Sequence, residues 1–151
     1  MELKPPLVIL VAEDDENDSF LLQRAFKKAD ILMPSYICKD GAEAMAYLKG
    51  EEKFADRIKY PFPRVLITDV KMPKCSGMDL LRWLHDHPDC NLIPKIVLSA
   101  SAQPDDVKLA YQLGANCYFR KPSTFDKLVN LVKLAHAFWS EAELPELPKN
   151  C

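Results

Sequence analysis

The sequence contains no apolar run approaching the roughly 20 residues that a helix needs to cross a bilayer. Its longest, Leu7 to Ala12, follows Pro5-Pro6 and runs into the acids that begin with Glu13-Asp14-Asp15, so it is expected to be neither a membrane span nor a signal sequence. A strong charge of either sign is also missing. Twenty basic and 22 acidic side chains leave a net charge of -2, which offers no chain-wide attraction for nucleic acid or anionic lipid. The five cysteines (Cys38, Cys75, Cys90, Cys117 and Cys151) are odd in number and show no Cys-x-x-Cys spacing. Neither a disulfide framework nor a zinc site is therefore expected, and reduced thiols in the cytoplasm are the simplest reading. No Gly-x-x-x-x-Gly-Lys phosphate loop occurs, and neither do internal repeats or low-complexity segments. What is present is an ordinary globular composition: 151 residues, 48% apolar and 28% charged, the size of one domain with a core of its own.

Two apolar patterns alternate along the chain. Leu7 to Ala12 is a short continuous run, as expected of a strand buried on both faces. Leu21, Leu22, Ala25, Phe26 and Ala29 then recur at helical spacing over Asn17–Ala29, with acids from Asp14 to Asp18 at the positive end of the helix dipole. A weaker strand from Ser35 to Cys38 precedes the turn pair Asp40-Gly41 and a helix over Ala42–Lys49. Val65–Asp69 reads as the third strand and Met78, Leu81 and Leu84 mark the third helix. Lys95–Ser99 is the fourth strand; Pro104 opens a helix that closes at Gly114. Cys117–Arg120 is the fifth strand and Phe125–Trp139 the last helix, after which a tail holding Pro145 and Pro148 is expected to fray. Five strands alternating with five helices imply an α/β, doubly wound parallel sheet. The long connection Gly50 to Pro63 enters the amino end of the third strand, and is expected away from any site at the carboxyl ends.

In this architecture ligands bind beyond the carboxyl ends of the strands. There the sequence places Glu13-Asp14-Asp15, Asp69, Ser99 and Lys121. Two like charges about 4 Å apart repel by about 4 kcal/mol at an effective dielectric near 20, so clustered carboxylates call for a cation or a raised pKa. Mg²⁺ suits them, since it takes hard oxygen ligands and retains waters. Beside such an ion Asp69 can act as a carboxylate nucleophile toward phosphorus, with Lys121 and Ser99 stabilising the transferred oxygens.

Asp69-Val-Lys-Met-Pro-Lys-Cys-Ser-Gly77, together with the acidic end of the first strand, Ser99-Ala100, Gly114-Ala115, and Tyr118 ahead of Lys121-Pro122, resembles the response-regulator receiver family (CheY-like domains) in order and spacing over about residues 7 to 139. The resemblance implies strand order 2-1-3-4-5, and a receiver over residues 1–139 with a tail at 140–151. It implies that Asp69 accepts a phosphoryl group from a sensor histidine kinase. Glu13, Asp14, Asp69 and the main-chain carbonyl of Lys71 would hold Mg²⁺ or Mn²⁺. Ser99 and Tyr118 would form a switch pair, Lys121 would contact the phosphoryl group beside a cis bond to Pro122, and Lys71 and Ser101 would influence phosphoryl lifetime. A chain of this kind is not a turnover enzyme. Its expected place is the cytoplasm, free of membrane and nucleic acid. The dozen residues after the last helix are too few for an output domain, so output is expected through a downstream protein partner. The 50–63 connection and the Asp89–Pro94 lead-in resemble the subgroup paired with phytochrome-type kinases, whose members often dimerise through the fourth helix, fifth strand and fifth helix. In this chain Tyr111, Tyr118 and Phe119 would contribute to that face.

Other readings compete. An aspartyl-nucleophile phosphatase would carry Asp-x-Asp, and Lys71 stands where the second Asp belongs. A constitutive adaptor would have no need of Asp14, Asp69, Ser99 and Lys121 together. Asp15 is better read as a helix cap than as a further metal ligand. His85 and His87 suit the negative end of a helix, Cys75 lacks an activating partner beyond Lys74, and Phe138 and Trp139 read as helix packing.

Overall fold

The computed structural model describes residues 7–31 and 36–151. In chain order the elements are β1 (Ile9–Ala12), α1 (Glu16–Lys28), β2 (Tyr36–Cys38), α2 (Gly41–Lys49), β3 (Val65–Thr68), α3 (Gly77–His85), β4 (Lys95–Ser99), α4 (Pro104–Gln112), β5 (Cys117–Arg120) and α5 (Phe125–Glu141). All strand pairings are parallel, in the order β2-β1-β3-β4-β5, as the alternation and the resemblance imply. Ser35, expected to open the second strand, lies outside the described residues.

Four of the five α-helices begin where a side chain caps them, and α4 begins instead with Pro104 in its first turn. Asp15, Asp40, Ser76 and Thr124 each accept a hydrogen bond from the backbone N–H three residues on, which satisfies an otherwise unpaired first-turn donor. Asp15 is thus the cap that the sequence suggests. Gly50, at φ 71°, closes α2 in the left-handed conformation that glycine adopts without a Cβ penalty.

Strand residues alternate between two cores. Ile9, Val11, Ile67, Ile96 and Leu98 face α1 and α5, packing with Leu22, Phe26, Val129 and Val132. Leu10, Ala12 and Leu66 face α2 and α3 with Tyr47, Leu48, Leu80 and Leu84. Val97 joins Leu81 and Ala110 below α4. Burial on both faces explains why β1, β3 and β4 read as unbroken apolar runs. The 50–63 connection forms a short 3-10 turn at Glu52–Ala55 and places Phe54 and Tyr60 against Tyr36 and Tyr47. The Tyr47 hydroxyl donates to the Pro61 carbonyl at 2.7 Å.

Three expectations are overturned here. Cys90 and Cys151 form a disulfide, 61 residues apart in sequence; the other three cysteines are free. An odd count excludes full pairing, not one bridge, and a long-range pair leaves no local spacing to read. The tail does not fray: α5 extends to Glu141, and Leu147 and Cys151 pack against the core shared by Leu48, Phe54, Cys90 and Ile93. Phe138, read as packing, is 62% exposed and meets Trp139 edge-on, while Trp139 joins the α1–α5 core. Along a helix i and i+1 point about 100° apart, so only one of the two can face inward.

Candidate functional site

Strand register sets the site. Ala12 lies beside Thr68 and Cys38, so Glu13 and Asp69 leave adjacent strands at one level. Asp69 N–H donates to the Ala12 carbonyl at 3.0 Å and Glu13 N–H to Cys38 at 2.9 Å. Both side chains stand on backbone that the sheet still holds. Carboxylate oxygens of Glu13, Asp14 and Asp69 lie within 4.8 Å of one another. Asp69 is oriented by its own chain: Oδ1 accepts from Val70 N–H at 2.6 Å. The loop beyond is drawn tight by Gly77, whose N–H donates to the Val70 carbonyl at 2.8 Å, and a Cβ at Gly77 would run into the Asp69 carbonyl oxygen.

Lys121 arrives from the far edge of the sheet. Its N–H donates to the Ser99 carbonyl at 2.7 Å, and its Nζ reaches Glu13 Oε1 at 2.6 Å, Asp18 Oδ2 at 2.7 Å and Asp69 Oδ2 at 2.8 Å. Burial works against the charged ammonium, but the hydrogen bonds it donates to these three carboxylates hold it above the usual lysine range. One positive charge cannot neutralise them all. The deficit falls on Glu13, only 8% exposed, whose carboxyl burial and the Asp69 charge push up to about 7 despite Lys121. Among the described residues no peptide bond is cis, which corrects the expected cis bond at Pro122. Trans is the preferred form even before proline, and Lys121 meets its three partners with it.

Nothing in the sequence marks Asp18 as a site residue. An acid in the first turn of a helix is ordinarily accounted for by the dipole, and only folding brings Lys121 to it from 103 residues away. The remaining candidates spread around the acidic cluster. Ser99 is buried at the end of β4, its Oγ accepting from Ser101 N–H at 3.2 Å. The half-buried Tyr118 donates its hydroxyl to the Ser101 carbonyl at 2.7 Å, and Ser101 Oγ donates to Asp106 at 2.9 Å. Ser99, Ser101 and Tyr118 thus form one hydrogen-bonded group beside the cluster. Lys71 lies two residues past Asp69 with its side chain exposed. His87 Nδ1 is 2.6 Å from the Trp83 carbonyl, in keeping with its place at a helix end. Burial raises the Cys75 thiol pKa, as do Asp79 and Asp40, which disfavours the thiolate.

The donor set fits a hard divalent cation. Three carboxylates converge within reach of one another, and Mg²⁺ or Mn²⁺ takes oxygen ligands of this kind. No helix among the described residues is long and apolar enough to cross a membrane.

Residues 9–133 match the family profile described as the response regulator receiver domain. The chain is 35% identical over 140 residues to response regulator Rcp1 of Synechocystis, covering 93% of both proteins. The structure of the phosphorylated cyanobacterial phytochrome response regulator RcpA superposes with a TM-score of 0.84 at 32% identity, over 94% of this chain and all of that one. The Mn²⁺-bound form of Rcp1 superposes with a TM-score of 0.81 at 34% identity, over 93% of this chain and 100% of that one.

Proposed function

Because the chain belongs to the response regulator receiver family, we propose that Asp69 is its phospho-acceptor, taking a phosphoryl group from a phosphohistidine of a sensor histidine kinase. The P–N bond to histidine breaks as a P–O bond to Asp69 forms. Members of the family accept and lose this group themselves rather than turn over a substrate. The convergence of Lys121 Nζ and the acidic cluster on Asp69 carries this reading. Glu13, Asp14, Asp69 and the Lys71 main-chain carbonyl would hold Mg²⁺ or Mn²⁺, which when bound offsets the charge of the carboxylates and of the incoming phosphoryl oxygens. Lys121 keeps its ammonium directed at Asp69 Oδ2 and supplies a second positive charge.

Ser99 and Tyr118 are the proposed switch. The Ser99 hydroxyl turns toward the phosphoryl group, and Tyr118 exchanges its bond to the Ser101 carbonyl for an inward position. Lys71 and Ser101, which flank the site, modulate phosphoryl lifetime. Output then passes to a protein partner, and the α4–β5–α5 face, with Tyr111 49% exposed, is the proposed surface for a homodimer. The relatives named as phytochrome response regulators support a phytochrome-type kinase as the donor, and hence a cytoplasmic place for the receiver at residues 1–139. Incubation with acetyl phosphate and Mg²⁺ tests the assignment. One acid-stable, base-labile phosphate is expected, and its persistence in Asp69→Asn would refute Asp69 as acceptor.

A further inference from the structure

The segment after α5 leaves the helix at Ala142 in an extended conformation and is fastened at its far end to the opposite core. Cys151 N–H donates to the Leu48 carbonyl at 2.8 Å. Asn150 Oδ1 accepts from Arg57 Nη2 at 2.7 Å and from Nε at 3.1 Å, while Arg57 Nη2 also donates to the Leu48 carbonyl at 3.1 Å. Gly50 admits this approach, since a Cβ there would collide with Asn150 Oδ1. Leu147 packs with Cys151 on Leu48, Phe54 and Ile93. The segment also forms one wall of a groove of about 730 Å³, with Phe62 and Arg64 on the other. The Arg57–Asn150 bonds are exposed to competing water, so the Cys90–Cys151 bond is the one covalent tie that holds the segment down.

We propose that Cys90–Cys151 is a redox clasp whose reduction releases the 142–151 segment while the receiver fold stays intact. The two sulfurs differ in access. Cys90 is 2% exposed in the turn that leads into β4, whereas Cys151 is half-buried at the surface. A dithiol reductant of the thioredoxin class therefore attacks the Cys151 sulfur. A bond forms between the reductant and Cys151, the Cys90–Cys151 bond breaks, and its electron pair goes to Cys90, which takes a proton. The reductant's second thiol then displaces Cys151 as a thiol. In total two electrons and two protons pass to the protein, and the reductant becomes a disulfide. Disulfides in reducing compartments are mostly transient and redox-sensing, which suits a bond holding a surface segment. Release would remove one wall of the groove and uncover the apolar surface of Leu48, Phe54 and Ile93.

The whole chain, purified without reductant, supports the test. After denaturation and alkylation, three cysteines (Cys38, Cys75 and Cys117) should be labelled. Prior native-state treatment with thioredoxin, thioredoxin reductase and NADPH should raise this to five. Hydrogen exchange of peptide 142–151 should accelerate at least tenfold on reduction, with β1 and β3 peptides unchanged, and Cys151→Ser without reductant should reproduce the reduced pattern. Five labelled cysteines before reduction, or a bond that resists thioredoxin in the native state, would overturn the proposal. So would unchanged exchange of 142–151, or loss of protection in β1 and β3 as well.

Discussion

The Lys121 ammonium lies 2.8 Å from Asp69 Oδ2 while sharing its charge with Glu13 and Asp18. Its removal leaves buried carboxylates facing one another, and breaking such a pair from one side typically costs about 3–5 kcal/mol. Lys121→Met should therefore be markedly destabilised in metal-free buffer and recover in millimolar Mg²⁺, because binding to the folded state alone restores stability by mass action. Its phosphorylation by acetyl phosphate should slow by roughly a hundredfold, the scale seen when a positioned transition-state donor is lost. Asp18 is the most exposed of the three acids at this lysine, so Asp18→Asn should stay within about threefold of the parent. Rapid-mixing phosphorylation of both variants decides; a Lys121→Met rate near the parent's would remove this lysine from the reaction.

If Glu13 is a metal ligand as proposed, it couples the metal to the proton. Its folded-state pKa, raised to about 7, means that protonation of this side chain favours the fold. That contribution is fully present below about 4.5 and is lost as pH rises through 7, up to about 3 kcal/mol in the metal-free protein. A cation needs the carboxylate deprotonated. Mg²⁺ binding should then release nearly one proton at pH 6, about half at pH 7 and little at pH 8. Titration calorimetry in two buffers of different ionisation enthalpy measures this directly. Glu13→Gln should abolish the release, and a release that survives in that variant would assign the proton elsewhere.

Gly77 is fixed by what surrounds it rather than by its dihedral angles. A methyl group there meets the Asp69 carbonyl oxygen, a backbone atom that no rotamer change can move aside. Gly77→Ala should destabilise by about 2–3 kcal/mol, lowering Tm by roughly 4–12 °C, and should weaken Mg²⁺ binding through displacement of the Asp69–Lys71 loop. An unchanged Tm in differential scanning calorimetry would show that the loop yields freely.

The parts of the molecule legible in sequence are those whose physics is local. Ile9–Ala12, Val65–Thr68 and Lys95–Ser99 read as strands because burial on both faces leaves unbroken runs. The cap at Asp15 reads because a helix start demands an acceptor, and the turn at Asp40-Gly41 reads from its residue types. Glu13, Asp14, Asp69 and Lys121 could be placed together because strand ends converge in this topology. What escaped depends on distant partners. Asp18 looks like any first-turn acid until Lys121 meets it, Cys90 and Cys151 have no spacing to betray them, and Leu147 is too isolated to signal a docked tail. Lys95 escaped for a related reason, since nothing local marks a strand lysine as buried.

Lys95 stands 2% exposed at the start of β4, its Nζ donating to the Asn91 and Ile93 carbonyls at 2.7 and 2.8 Å. Burial lowers its pKa to about 8, because no carboxylate offsets the lost hydration. Between about 8 and 10.5 the unfolded chain holds this proton more firmly than the fold does, so this residue makes stability rise with pH across that window, by up to about 3 kcal/mol. Buried thiols act in the opposite direction: burial raises the Cys117 pKa to about 11 and also raises that of Cys38. Their unfolded forms ionise first, and stability falls as pH passes about 9. The lysine is therefore isolated by comparison with Lys95→Met, in which the thiol contribution is unchanged. The parent's stability relative to Lys95→Met should increase from pH 8 to pH 10 in urea unfolding. A difference that stays constant over that range would mean that Lys95 titrates in the fold as it does in water.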